Sequence, residues 1–433
     1  MVTLLLFGRG LRKEQNRVAF LSIIKNPMAA SAGIVLIFFL MIAVLDSIHL
    51  SNAKSLLDQV LSPLGAQYEK TYSAPFALKL YSSEMVGVNG HFEQVYPRLS
   101  YPPPSVQTRE DIQHVVKVGL IKSFGISVLF LLFIALGGLF YRRKKRASER
   151  FLDPSHLLVN KRLSSSVAPY ITLFFVGFIL LSAYQLSRDF HIFGTGKIGE
   201  DIFYYAVKSI RTGLVIGTLT TLFMMPLALL LGISAGYFGG IVDDIIQYIY
   251  TTLSSIPGVL LITASVLSMQ TYIANHPEQF KTLADNADAR LLALCFILGV
   301  TSWTSLCRLL RAEALKLREI DYVLAAKALG SSSFKIIRTH LLPNVMHIVI
   351  ITLVLDFSFL VLAEAVLSYV GVGVSPMTLS WGNMINAARL ELAREPIVWW
   401  PMLAAFLLMF SLVLAINLFA DAVRDAFDPH HSR

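Results

Sequence analysis

The sequence predicts an all-α, polytopic transmembrane helix bundle of about eight spans. Three observations carry this expectation. Of 433 residues, 55% are hydrophobic and 15% charged, with mean hydropathy +0.63, whereas soluble domains carry about 25% charged residues. Apolar runs recur that are long enough to cross a bilayer, for which about 20 residues suffice. The basic residues fall between those runs, so the net charge of +9 is read as membrane orientation, and nucleic acid is not an expected partner. The two cysteines, Cys295 and Cys307, lie in one predicted span, which excludes a disulfide framework and a Cys-rich metal site.

In chain order, residues 1–27 carry Arg9, Arg12, Lys13, Arg17 and Lys25, interleaved with Phe20, Leu21, Ile23 and Ile24. This cytoplasmic segment reads either as an amphipathic helix on the membrane surface or as a solvated basic tail. Its first residues are too short an apolar run for a cleaved signal, so span 1, at 28–50, is expected to be an uncleaved anchor. Residues 51–119 form an external loop, with Lys54, Lys70, Lys79, Arg98 and Arg109 balanced by acids and Pro102-Pro103-Pro104 as punctuation. A helical hairpin occupies 120–190: span 2 at 120–141, stopped by Arg142-Arg143-Lys144-Lys145-Arg146, then a basic loop with Arg150, Lys161 and Arg162, then span 3 at 167–186.

A core follows over 191–421. Span 4, at 205–237, holds Gly213-xxx-Gly217 and Gly232-xxx-Gly236, the small-residue spacing that lets helices approach closely in lipid. Ala235 to Gly240 (AGYFGG) predicts a tight cytoplasmic turn leading through Asp243-Asp244 into span 5 at 245–267. Spans 6, 7 and 8 fall at 291–307, 345–370 and 398–419, and 422–433 is a cytoplasmic tail. Eight crossings put both termini on the cytoplasmic side together with every basic cluster. Neither strand alternation nor a soluble catalytic domain is visible.

Residues 308–343 stand out. They carry Arg308, Arg311, Lys316, Arg318, Lys327, Lys335 and Arg338 between two apolar runs. Leu317, Ile320, Leu324 and Ala328 are spaced as one buried helical stripe. Gly330 suits the left-handed position that closes a helix. Ser331, Ser332 and Ser333 offer N-caps for a second short helix at 334–341, and Pro343 fits the first turn of the next long helix. So basic a helix–turn–helix belongs in the cytosol, where another protein can grip it.

The wording RAEAL-x-LRE-x-DYVLAAKALG…LLPN resembles the coupling loop of ABC-importer permeases, specifically the second (C-type) permease of the oligopeptide/dipeptide (peptide/nickel) family. Ala325-Ala326, Gly330 and Leu342-Pro343 hold the signature; Leu324 stands where the family has glutamate, and His340 where isoleucine is usual. SAGYFGG-x-VDD, the LAEA-x-LSYVGVG of 362–373, Trp381-Gly382-x-Met384 and the closing DAVRDAFDP resemble the same family. The segment Phe193 to Asp201 departs from it, with Gly196 in place of an acid and Glu200 in place of an arginine. Spans 2 and 3 have no counterpart in the usual six-span subunit, so the resemblance implies a type I ABC-importer permease core carrying an inserted hairpin.

The chemistry-bearing residues are few. The Gly194–Lys197 run (GTGK) lacks the glycine and hydroxyl of a phosphate loop, since His191 and Ile198 stand there. His430-His431 is a terminal pair without a third ligand. No H-E-x-x-H or G-x-S-x-G pattern occurs, and no cofactor, metal or enzymatic activity is expected. Asp356 and Glu364 lie within span 7, where charge is costly. They are candidates for the translocation path, with a structural acid as the alternative for each.

The resemblance implies a permease subunit of an ATP-driven peptide importer in the bacterial inner membrane. Its partners would be membrane lipid, a homologous second permease, two ATP-binding cytosolic subunits and an external binding protein that delivers peptide. Asp321, Tyr322, Leu324, Ala325, Ala326, Gly330, Leu342 and Pro343, within the loop 311–343, would form the ATPase-docking surface. A nickel chelate or another small solute is the alternative cargo. An ion-coupled secondary transporter using Asp356 and Glu364 is the alternative mechanism, and would transport without any ATPase.

Overall fold

The structure is a computed structural model that describes residues 23, 26–49, 54–62, 64, 65, 68–88, 91–149, 167–280 and 282–427. Most of the basic N-terminal segment 1–27, Arg150, Lys161, Arg162 and the His430-His431 pair lie outside the described residues. Eight helices among the described residues are long and apolar enough to cross a membrane, as the sequence predicts. The described chain forms two compact units, one from 206 onward that takes in 42–44, the other from 26–41 and 45–205.

The unit ending at 205 begins with α1 (Pro27–Ser47), whose mean hydropathy as a span is 2.7. The short α2 (Leu56–Val60) starts with a capping box in which Ser55 Oγ accepts from the Asp58 amide and the Asp58 carboxylate accepts from the Ser55 amide. Each group satisfies an amide the helix leaves open. A two-stranded antiparallel hairpin follows, β1 (Glu84–Val88) and β2 (His91–Val95), with Glu84 opposite Val95. This one short hairpin sits within a chain that is otherwise helical, as the sequence predicts. Asn89-Gly90, between alternating residues, is the strongest short-range hairpin signal.

Helix α3 (Arg109–Glu149) runs for 41 residues and does not stop at the arginine–lysine cluster. Arg and Lys are good helix formers, so the helix runs on through these charges. Its partner α4 (Ala168–Leu186) packs on it through Phe124, edge-on to Phe174 and Phe178 at 5.5 and 6.2 Å. A Cβ on Gly119 would lie 3.1 Å from Leu186. Residues 191–205, assigned by sequence to the core, instead belong to this unit.

The second unit is built on α5 (Ile202–Phe238), α6 (Gly240–Ser255), α7 (Gly258–Asn275), α8 (Leu283–Arg318), α9 (Asp321–Ala328), α10 (Ser333–Ile336), α11 (Leu342–Tyr369), α12 (Trp381–Glu391) and α13 (Trp400–Phe427). Span 5 differs from expectation. The run 245–267 is broken at Ile256-Pro257, where Ile256 is extended, so α6 is a separate helix and α7 is the crossing. Hydropathy alone reads through such a break; the residue before a proline is pushed out of the helical region. The amphipathic α12, unforeseen by the sequence, is capped by Ser380 on the Asn383 amide and anchored by Trp381, whose Nε1 donates to the Ala206 carbonyl at 2.9 Å.

Helices α5 and α8 approach backbone to backbone, as the glycine spacing predicts. A Cβ on Gly232 would lie 2.8 Å from the Cys307 carbonyl, and one on Gly236 2.6 Å from the Arg311 carbonyl. A Cβ on Gly299 would lie 3.0 Å from the Thr220 carbonyl. Leu306, Leu310, Ala314 and Leu317 of α8 then join Met224, Ala228 and Ile233 of α5 in one buried cluster, which extends to Val323, Ile336, Leu341 and Val345.

Candidate functional site

The segment 308–343 folds into three pieces. α8 continues as far as Arg318, the chain turns at Glu319-Ile320, and α9 begins at Asp321. The expected single stripe is therefore divided between two helices. Leu317 and Val323 are buried, whereas Ile320, Leu324 and Ala328 are exposed. Gly330 has φ +79, the left-handed value the sequence predicts. The Ser331 amide bonds the Ala326 carbonyl and the Gly330 amide that of Lys327, each at 3.0 Å, the two bonds of a Schellman close.

Ser332 is the N-cap of α10 but makes no side-chain cap bond. The second short helix is not separate from the next span. A π-helical turn, Ile337–Leu341, joins α10 to α11, giving one helix over Ser333–Tyr369, with Pro343 in the first turn of α11. Proline lacks the amide that would extend the ladder back into the preceding turn, and the π turn falls at that gap.

This architecture sorts the side chains by face. Val323, Ile336 and Leu341 turn into the buried cluster, and Ala326 packs partly against it. Asn344 Nδ2 donates to the Tyr322 hydroxyl at 2.7 Å, tying α9 to the start of α11. Outward lie Asp321, Tyr322, Leu324, Ala325, Lys327 and Leu329, with Phe334 and Lys335 beyond the turn. Leu329 is 86% exposed and Phe334 74%. Two large apolar side chains within a basic surface are the informative kind of exposure.

Three arginines on α8, unforeseen as contacts by the sequence, hold the neighbouring turn. Arg311 makes a two-pronged ion pair with Asp243, Nη2 to Oδ2 being 2.7 Å. The Arg311 hydrogen bond outweighs partial burial and holds the Asp243 carboxyl below its usual range. Arg318 Nη1 donates to the Gly236 carbonyl at 3.3 Å. Arg308 donates to Ser254 Oγ and lies 5.1 Å over the Tyr250 ring. The turn braced by Arg311 and Arg318 contains Gly239 and Gly240, at φ +64 and +53. The sequence signal was the pair of motifs VDD and RAEAL; their separation of 68 residues hid the contact.

The two acids of α11 fare differently. Glu364 is 3% exposed, accepts from Ser368 Oγ at 2.7 Å, and sits where a Cβ on Gly382 would come within 2.9 Å of its Oε1. That is a closed α11–α12 packing junction, the setting of the structural alternative for Glu364. Asp356 is half-buried and makes no hydrogen bond or ion pair among the described residues. The described residues contain no group of three or more His, Cys, Asp or Glu that could hold a metal ion.

Residues 228–433 match the family described as binding-protein-dependent transport system inner membrane component. The chain is 31% identical over 246 residues to a dipeptide transport system permease protein of Lactococcus lactis, covering 57% of this chain and 66% of the relative. It is 29% identical over 239 residues to a dipeptide transport system permease protein of Bacillus subtilis, covering 55% and 68%. To a glutathione transport system permease protein of Pectobacterium atrosepticum it is 30% identical over 240 residues, covering 55% and 72%. The chain belongs to the inner-membrane components of binding-protein-dependent transport systems, and within them to the peptide ABC permeases.

Proposed function

We propose that this chain is one of two permeases in an ATP-driven peptide importer, with α9 and the turn after it as the docking surface for a separate ATP-hydrolysing subunit. The observation that carries this reading is the face of 321–335, which is fixed from behind by buried Val323 and Ile336 and presents Leu329 and Phe334 to solvent. Burying two such side chains in a partner groove would contribute roughly 3–6 kcal/mol, whereas exposed lysine pairs contribute about 0–1 kcal/mol each. The apolar anchors supply affinity, and Lys327 and Lys335 supply steering.

Movement of the docked subunit would reach the spans directly. The helix of Ser333–Tyr369 is continuous, so a displacement at Phe334 is a displacement of α11. ATP binding that favours one arrangement of this helix shifts the population between outward- and inward-facing states. An external binding protein would deliver the peptide, both chain termini would face the cytoplasm, and a homologous permease would complete the pore. Asp356, without a partner among the described residues, is proposed to line the path. The test is uptake of a labelled dipeptide into proteoliposomes carrying the assembled importer. Asp356→Asn should lower uptake several-fold while assembly is retained. Undiminished uptake would remove Asp356 from the path, and transport that needs no ATPase subunit would replace the importer reading with ion coupling.

A further inference from the structure

One histidine is set apart by its surroundings. His191 is 2% exposed and lies between two carboxylates. Its Nδ1 is 2.5 Å from Asp201 Oδ2, and its Nε2 is 3.9 Å from Glu69 Oε1. The Tyr101 ring stacks on it with centroids 4.5 Å apart, and the Tyr101 hydroxyl donates to the Ser187 carbonyl. Glu69 Oε1 also accepts from the Ser100 and Tyr101 amides, at 2.8 and 2.9 Å, and from Ser100 Oγ at 3.0 Å. Asp201 Oδ1 accepts the Tyr204 amide at 2.8 Å, in the first turn of α5.

Charge balance among the three groups, more than hydrogen bonding, favours the doubly protonated ring. A neutral imidazole has one N–H and one lone pair. With the proton on Nδ1, a buried lone pair faces Glu69, and Nε2 has no hydrogen-bond partner. With the proton on Nε2, the lone pair faces the Asp201 oxygen at contact distance. Only the imidazolium carries a positive charge between the two carboxylates, bonded to Asp201 through Nδ1 and paired with Glu69 across 3.9 Å. It also leaves the buried trio with one net negative charge instead of two, and an unpaired buried charge is costly.

We propose that His191 is a charged latch: as an imidazolium it fastens the outer segment 68–101 to the first turn of α5, and losing its proton releases that segment. Backbone bonds from Glu69 to Gly199 and from Phe76 to His191, at 3.0 and 3.1 Å, set the register but carry no charge. The titratable groups facing the ring are Glu69, Asp201 and Tyr101, and Arg188 and Asp189 act on the Tyr101 phenol from the same turn. Burial alone would lower the His191 pKa, but Asp201 and Glu69 outweigh it and push it up to about 9 from 6.5. Burial would raise Glu69, yet the nearby His191 and the bonds from Tyr101 and Ser100 bring it below the usual range. Because the folded pKa of His191 is the raised one, the latch is fully effective below pH 6.5 and is lost as pH rises to about 9.

Hydrogen exchange on the full chain in nanodiscs, corrected for intrinsic rates, tests this. In the wild type the opening constant of peptides from 68–101 should rise about a hundredfold from pH 6.5 to 9, at tenfold per pKa unit. His191→Gln should be open and flat across that range, and Glu69→Gln, which keeps an amide acceptor, should move the rise toward lower pH. A wild-type profile parallel to that of His191→Gln would overturn the latch. Should His191→Gln fail to fold, an unshifted Glu69→Gln profile would do so equally.

Discussion

In the unit from residue 206 onward, helices are fixed by what is missing between them: Gly232, Gly236 and Gly299 let backbones meet, and an apolar cluster closes around the contact. In the unit ending at 205, the segment 68–101 is fixed by what is present: Glu69, His191, Thr195 and Asp201 are buried polar groups, and Thr195 Oγ1 donates to the Thr71 carbonyl at 2.8 Å. The two devices suit different solvents. Between helices in lipid there is no hydrophobic drive, so close van der Waals packing decides. A segment of mixed polarity outside the spans cannot bury much apolar area, and buried polar groups there must be satisfied. Packing without side chains tolerates no enlargement; a polar network tolerates volume but not a change of charge.

The sharpest break of this contrast is Gly236→Leu, whose Cβ would collide with the Arg311 carbonyl. Overpacking at a backbone contact costs about 3 kcal/mol or more, so the variant should unfold far more readily than wild type in thermal melts in detergent. A smaller effect is expected at the docking face. Phe334→Ala should weaken recovery of the ATPase subunit by about 2 kcal/mol, roughly thirtyfold, and Lys327→Ala by less, measured by titration of that subunit. The smallest tests whether charge matters in the second unit. Arg311→Ala should destabilise the chain by about 1–2 kcal/mol, and Arg311→Ala/Asp243→Ala by less than the sum of the singles, since removing both partners leaves no unpaired charge.

How much was legible follows from range. Gly330, Pro343 and the glycine spacing of α5 are local statements about φ, a missing amide and helix periodicity, and they carry over into the structure. The break at Pro257 and the hairpin around Asn89-Gly90 were also local, but the broad hydropathy pattern overrode them. The long helix α3 passed for a shorter span because charge was taken to end the helix as well as the membrane. Contacts that join distant positions had no such signature: Arg311 with Asp243, or His191 with Glu69, lie across loops whose closure no periodicity records. Glu364 was recognised as costly, yet whether such a carboxylate meets a cavity or a serine depends on the neighbouring helix, here α12.

The central claim is that the turn at Gly330 shapes a surface to which an ATP-hydrolysing subunit docks. It is tested most directly by extracting the tagged chain in mild detergent and identifying what co-purifies. Gly330→Val places a β-branched residue at φ +79, a conformation that costs about 1–2 kcal/mol, while leaving the spans untouched. The account predicts that a second permease and ATP-hydrolysing subunits are recovered with the wild type, and that Gly330→Val, inserted at normal levels, loses the ATP-hydrolysing subunits. Equal recovery of those subunits by both chains, or a stable wild-type complex without them, would contradict it.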